Sequence, residues 1–253
     1  MSLNYSFSVD LVKQYRPPPK RLLDFGCGKA DVAFLALNQG YDAYGVDTFL
    51  GVGAEEENLI AATQKMGHRV VKIDPNKKMP FDDGFFDIVI SNQVFEHIPE
   101  LTGIYEELAR IICPGGILLT LMPTSEVLWE DHLKMPLVHL LPLGSKKQRL
   151  LMKIFRRIGF GGKNKSSDEE WISRANTILK SELFHRPANR YINDLSKHFE
   201  LISEFEPEWS RYRIKDNGIL KIISPIVELK ILDRLLRYFV RKVAGSVFVF
   251  RRV

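Results

Sequence analysis

The chain has 253 residues, of which 45% are hydrophobic and 26% charged, the composition of an ordinary soluble globule and not of a disordered or fibrous chain. No run of apolar residues is long enough to span a membrane, and the N-terminal stretch MSLNYSFSVDLVKQYRPPPK lacks the apolar h-region of a secretory signal, so neither feature is expected. Two cysteines far apart, Cys27 and Cys113, and no metal-spaced Cys/His cluster predict a reducing compartment, no disulfide and no metal site.

The formal net charge of +5 hides an asymmetry. Residues 144–166 hold eight Lys/Arg and no Asp/Glu, and residues 211–253 hold eleven and three, so each segment carries a net of +8. The rest of the chain is acidic. Such a division points to an anionic partner or surface.

In chain order, residues 5–16 suit a short helix that ends before Pro17-Pro18-Pro19. Arg21–Phe25 reads as a buried parallel strand, broken by Gly26-Cys27-Gly28 and followed by a helix to about Asn38 that Gly40 stops. A strand that breaks at glycines and restarts as a helix is a nucleotide-site design, because the glycines expose backbone and the helix N-terminus offers free N–H groups. In a G-x-G-x-x-G frame the last position is Asp31, whose carboxylate would repel a pyrophosphate. The site therefore suits a nucleoside without phosphates, and the spacing disfavours an NAD(P)-dependent oxidoreductase. A second strand, Ala43–Val46, ends in Asp47, 19 residues beyond Gly28, where an acid can meet a ribose diol.

A helix over 54–66 and a strand over Arg69–Ile73 follow, then Asp74-Pro75. A strand over Phe86–Ser91 carries Asn92 and Gln93 at its carboxyl end, where open α/β sheets bind ligands. A helical face through Leu101, Ile104, Tyr105, Leu108 and Ile111 leads to Pro114-Gly115-Gly116, which turns the chain into a strand over Ile117–Met122. Residues 124–195 lose the β/α rhythm and read as a mostly helical, substrate-facing insertion. Strands return at 198–206 and 246–250. The expected architecture is α/β, a doubly wound, mostly parallel seven-stranded sheet in one domain, with its core at 20–123 and 196–253.

Residues 21–32, RLLDFGCGKADV, resemble motif I of the class I S-adenosylmethionine-dependent methyltransferases. Tyr44–Asp47, Pro80–Ser91, Val94–Ile98 and Cys113–Gly116 resemble four further motifs of that family, in its order. The resemblance implies a Rossmann-like methyltransferase fold whose seventh strand is antiparallel and lies between the fifth and sixth. It also implies S-adenosylmethionine as cofactor, with S-adenosylhomocysteine as product. Carried onto this sequence, the loop Gly26, Cys27 and Gly28 approaches the cofactor, Asp24 serves its ammonium end, Asp47 with Thr48 meets the ribose, and Asp74 with Pro75 the adenine. Ala30 stands where a third motif glycine is usual, and alanine suits an ordinary helical start.

Methyl transfer from a sulfonium asks the protein for position and electrostatics more than for reactive groups. His97, in the family's histidine position, and His132, in the insertion, are the candidate bases. Neither cysteine has a nucleophile context, which argues against cytosine-C5 chemistry, and Asn92-Gln93-Val94-Phe95 is not the N-P-P-Y-like motif of amide and DNA-amino methylases. The expected enzyme methylates a small-molecule or lipid-like acceptor, with oxygen the favoured atom; a non-catalytic scaffold is the rival. Two basic amphipathic stretches, 149–158 and 226–243, read either as solvated surface helices or as docking elements for an anionic membrane or a lipid-linked or phosphorylated substrate. No RNA-binding module accompanies them, so no nucleic acid is expected. The expected location is cytoplasmic, with contact to the inner face of a membrane as the sharper reading.

Overall fold

Apolar residues on consecutive positions, such as Leu22-Leu23 and Ile117-Leu118-Leu119, can be buried only in strands covered on both faces. The computed structural model, which describes residues 2–50, 54–162, 166–217 and 220–253, shows that arrangement. Helix α1 (Leu3–Tyr15) precedes β1 (Arg21–Phe25), α2 (Asp31–Asn38), β2 (Asp42–Asp47), α3 (Ala54–Leu59), β3 (Val70–Lys72), β4 (Phe86–Asn92), α4 (Thr102–Ile111) and β5 (Ile112–Met122). A two-stranded hairpin, β6 (Trp129–Glu130) and β7 (Met135–Pro136), leads to α5 (Lys146–Arg157), α6 (Asp168–Ser181) and α7 (Ala188–Leu195). The chain closes with β8 (Phe199–Glu204), α8 (Glu206–Asp216), α9 (Ser224–Val227), α10 (Asp233–Val243) and β9 (Ser246–Arg252).

The seven-stranded sheet runs β3-β2-β1-β4-β5-β9-β8. Every pair from β3 to β5 is parallel, and β9 is antiparallel to both β5 and β8. This is the mostly parallel sheet expected from the sequence, with the last strand inserted beside the fifth. Alternate residues of one strand enter opposite cores. Leu22, Leu119 and Val249 join α1, α2 and Trp209 on one face. Leu23, Leu118 and Phe248 join α4 and α7 on the other. The insertion has its own small core, in which Met135, Met152, Trp171 and Ile172 pack together. Its helix α6 opens on a capping box between Ser167 and Glu170.

Four local expectations are corrected. The helix expected over 54–66 is α-helical only to Leu59 and continues as a wider π turn over Ile60–Met66 before Gly67, at φ 58°. The strand expected from Ile117 begins at Ile112. Phe86 pairs with Ile112 and Ile88 with Ile117, so Pro114-Gly115-Gly116 folds as a bulge inside β5. A Cβ on Gly116 would lie 2.6 Å from Ile112 Cγ2, which only glycine avoids. The stretch 226–243 is not one helix. Leu229 is extended at ψ 115°, which separates α9 from a 3₁₀ turn at Lys230–Leu232 and from α10. Finally, Ala30 does not start α2 in the ordinary way but sits in the left-handed region at φ 56° and ψ 34°. That conformation costs a non-glycine residue about 1–2 kcal/mol, and it explains why a glycine is usual there.

Candidate active site

The loop after β1 is tied down before any ligand arrives. The Gly26 and Cys27 N–H groups donate to the Val46 carbonyl at 2.9 and 3.0 Å, which pins the loop to β2. The Gly28 N–H donates to Asp47 Oδ2 at 2.9 Å, and the Phe49 N–H donates to Asp47 Oδ1 at 2.8 Å. The two glycines do different jobs. A Cβ on Gly26, at φ 75°, would lie 2.4 Å from Val94 Cγ2, so this glycine is required by packing. A Cβ on Gly28, at φ 46°, would meet nothing nearer than Glu57 Oε2 at 3.8 Å, so its backbone faces open space that a ligand can fill.

Asp24 is buried at the end of β1, and its Oδ2 accepts from the Ala33 N–H at 3.2 Å. Burial pushes its carboxyl up to about 7, with help from the neighbouring Asp47 and Asp31 carboxylates. A cation placed here would restore ionisation, which suits an ammonium or sulfonium ligand. Tyr5 of α1 is close enough to Asp31, Asp24 and Glu57 that burial and then these carboxylates raise its phenol. The first turn of α1 therefore closes over this end of the loop. Asp31 itself is ion-paired with Lys65, so it repels an anion less than the sequence alone suggests.

Asn92 and Gln93 reach the mouth of a cavity of about 480 Å³. Asn92 Oδ1 is buried without a hydrogen-bond partner among the described residues, an acceptor a bound ligand would satisfy. Gln93 holds φ 60° and donates its N–H to the Leu121 carbonyl at 2.7 Å. The far wall of the cavity comes from the insertion: Trp129, Glu130, Asp131, His132 and His185.

There the structure builds a dyad. His132 Nδ1 lies 2.8 Å from Glu130 Oε1, and the His132 backbone N–H donates to the same oxygen at 3.1 Å. Because Glu130 is a carboxylate, Nδ1 carries the proton and Nε2 keeps its lone pair. The hydrogen bond His132 donates to Glu130 raises the imidazole above its ordinary range despite partial burial. Burial alone would push Glu130 up, but the bonds from His132 and the nearby His185 leave its carboxyl below the usual value. His185 Nδ1 is 3.6 Å from Glu130 Oε2, and burial holds that imidazole down and therefore neutral. Behind the dyad lies Glu96, fully buried, with neither carboxyl oxygen partnered among the described residues. Burial pushes it up to about 8, so it is an uncharged acid at neutral pH.

Of the residues singled out from sequence, the structure gathers Asp24, Gly26, Gly28, Asp47, Asn92, Gln93 and His132 around the carboxyl ends of β1, β2 and β4. Thr48 is half-buried beside Asp47. Cys27 contributes its backbone, while its thiol is buried against Gly45 and raised by that burial. Asp74 and Pro75 lie on an exposed turn, where Asp74 Oδ1 accepts from the Asn76 N–H at 3.0 Å and its carboxylate pairs with Lys77. His97 turns away from the cavity; its Nδ1 is 2.9 Å from the Glu182 carbonyl, and its ring stands edge-on to His132 at 5.0 Å between centroids. Glu130, His185 and Tyr5 were not singled out. The spacing Glu130-x-His132 was the available sign, since a carboxylate can accept from the backbone N–H two residues on in a turn, as Glu130 does from His132; for Tyr5 no local signal existed.

Residues 23–120 match the family model described as "Methyltransferase domain". Over 126 residues the chain is 36% identical to a probable chloroplastic tocopherol O-methyltransferase of Oryza sativa subsp. japonica, covering 46% of this chain and 34% of that protein. It is 34% identical over 99 residues to the chloroplastic tocopherol O-methyltransferase of Arabidopsis thaliana, covering 38% of this chain and 28% of that one. The chain thus spans about a third of the length of these relatives. A solved S-adenosylmethionine-dependent methyltransferase from Mesorhizobium loti superposes with a TM-score of 0.59 at 13% identity, over 99% of this chain and 100% of that one, and shares its fold. The glycine loop, the acid at the end of β2 and the inserted antiparallel strand thus lie in a fold shared with that solved methyltransferase, and residues 23–120 match the methyltransferase-domain model.

Proposed function

We propose that the chain methylates a hydroxyl oxygen of a small, lipid-like acceptor, using S-adenosylmethionine. The observation that carries this reading is one arrangement: the Glu130–His132 dyad faces, across one cavity, the strand end that bears Asn92 beside the glycine loop. The cofactor supplies, when bound, an electrophilic methyl group on a sulfonium, with a neutral thioether as leaving group. The residues present fit it. Asp24 offers a buried carboxyl to positive charge, Gly28 leaves backbone bare, Asp47 ends β2 beside that loop as a carboxylate for a ribose diol, and Asn92 Oδ1 lacks a partner among the described residues.

Oxygen is favoured because its proton must go somewhere. His132 Nε2 accepts that proton from the acceptor hydroxyl, and the Glu130 carboxylate stabilises the imidazolium that results. Glu130 is buried, and its hydrogen bond to the partly exposed His132 ring fixes that ring's orientation before reaction. The walls of the cavity mix apolar and aromatic groups, Val127, Trp129, Trp209 and Val243, with polar ones beyond the dyad, Asn4, Asn92, Asp131 and Arg213. The names of the rice and Arabidopsis relatives support an acceptor with an aromatic hydroxyl and an apolar body.

Titration calorimetry with S-adenosylmethionine and S-adenosylhomocysteine tests the cofactor half. Micromolar binding is expected, with Asp47→Ala weakening it about tenfold or more, or about 1.4 kcal/mol. No binding by folded wild-type protein would sink the reading and promote a scaffold role for the fold.

A further inference from the structure

Of the apolar residues of α10, Val240 packs against the core, but the stripe of Leu235, Phe239 and Val243 does not face it. The inward side of this helix carries Arg237 and Arg241, which pair with Glu204 at the end of β8 and with the fully buried Glu206 of α8. These pairs fix the rotation of the helix. At about 100° per residue the stripe is then turned outward. Leu235, Phe239 and Val243 are 52%, 55% and 60% exposed, and Ile231 on the preceding turn is 87% exposed.

We propose that this ridge seats α10 on an anionic lipid bilayer. Lys230, Arg234 and Lys242 border it and have no acidic partner among the described residues, whereas Arg237 and Arg241 are consumed internally. An ordinary surface helix shows charge to water and apolar residues to the core. Here the apolar edge is exposed between free cations, on a segment of net charge +8. Apolar side chains at the acyl boundary with Lys and Arg at the headgroups is the arrangement of an interfacial helix. Helix α5 is different, because Arg149 and Lys153 pair with Glu169 and Arg156 pairs with Asp168 at the start of α6. Among the described residues no helix is long and apolar enough to cross a membrane, so the contact is peripheral.

The ridge also has a route inward. A groove of about 470 Å³ runs between Leu3, Trp209 and Arg213 on one side and Phe239 and Val243 on the other. Trp209, Arg213, Val243 and Ala244 line both this groove and the cavity that holds His132. An amphiphilic acceptor leaving the bilayer can therefore place its tail in the groove and its hydroxyl at the dyad. This use of the groove rests on the methyl-transfer reading above; the docking itself rests on the surface alone.

The test is flotation of the full chain with vesicles of phosphatidylcholine, with and without phosphatidylglycerol. Co-flotation is expected with the mixed vesicles and at least about tenfold less with phosphatidylcholine alone. The double substitution Ile231→Glu and Leu235→Glu, at positions lining neither groove nor cavity, should abolish it with melting temperature and S-adenosylhomocysteine binding unchanged. The exposed pair Lys230→Glu and Arg234→Glu should do the same by charge alone. Absence of wild-type flotation on anionic vesicles overturns the proposal, as does flotation undiminished in both variants. A dimer that the first variant dissolves also overturns it, by giving the ridge to a second copy. Failure to bind S-adenosylhomocysteine would instead remove the methyl-transfer reading and leave the docking result standing.

Discussion

His132 is useful because of what its other nitrogen does. With Nδ1 held at 2.8 Å by Glu130, the imidazole has one tautomer and one orientation, and its Nε2 is free for the cavity. His132→Ala should lower kcat about 10²–10⁴-fold with little change in cofactor affinity, and should remove the acidic limb of the kcat/KM pH profile. A profile that keeps that limb would show the proton goes elsewhere. Glu130→Gln should lower kcat less, since the amide can still orient the ring but cannot stabilise its positive form. His97, the candidate that matches the family position, has already used Nδ1 on the Glu182 carbonyl. The sequence favours His132 only by its place in the insertion; the structure separates the two because His132 lines the cavity and His97 does not.

At the scale of elements, α10 shows how a buried ion pair can override a hydrophobic pattern. Its apolar face was legible from Leu232, Leu235, Leu236, Phe239, Val240 and Val243, but which of these residues turn outward was not. The direction follows from where Glu204 and Glu206 stand, and they belong to elements some 30 residues earlier in the chain. Glu206 is raised to about 7, first by burial, so Arg241 matters most when Glu206 is ionised. Arg241→Met should therefore destabilise the protein by about 3 kcal/mol at pH 8 and clearly less at pH 6, where Glu206 takes up a proton. Denaturant titrations at the two values check it, and equal losses would show that Arg241 acts through packing. The loop before α2 carries a parallel lesson. Ala30 occupies a left-handed conformation between Cys27, which is held to β2 and accepts from its N–H, and Phe34 of α2, which donates to its carbonyl.

At the scale of the whole molecule, three carboxyl groups among the described residues are buried and raised, Asp24 and Glu206 to about 7 and Glu96 to about 8, in each case chiefly by burial. In the unfolded chain the same groups ionise near pH 4. Between those values the folded state holds protons that the unfolded state has lost, so stability falls as pH rises. Above pH 7 His97 and His185, which burial holds neutral when folded, are neutral in the unfolded chain too and cease to oppose this trend. Unfolding free energy should thus drop between pH 7 and 8.5 by about 1 kcal/mol or more, with Glu96 the main contributor. Glu96→Gln should flatten the slope in denaturant titrations of the cofactor-free protein. A slope that survives the substitution would place the buried proton on another group.

The sequence by itself determined the parallel sheet, the glycine turn and the acid at the end of β2. Strand burial, glycine conformations and the acid's spacing are local properties, and each is written in a few consecutive residues such as Leu22–Gly28 and Tyr44–Asp47. It also divided the charge, placing a net of +8 in each of two segments. Only the tertiary structure decided which of those cations are free, which histidine meets the cavity and which way α10 turns. Those outcomes depend on partners brought together across the fold: Glu130 beside His185, Glu206 beside Arg241, and Asp168 and Glu169 beside α5. Pairing of charges is a matter of distance in space, and sequence records distance only along the chain.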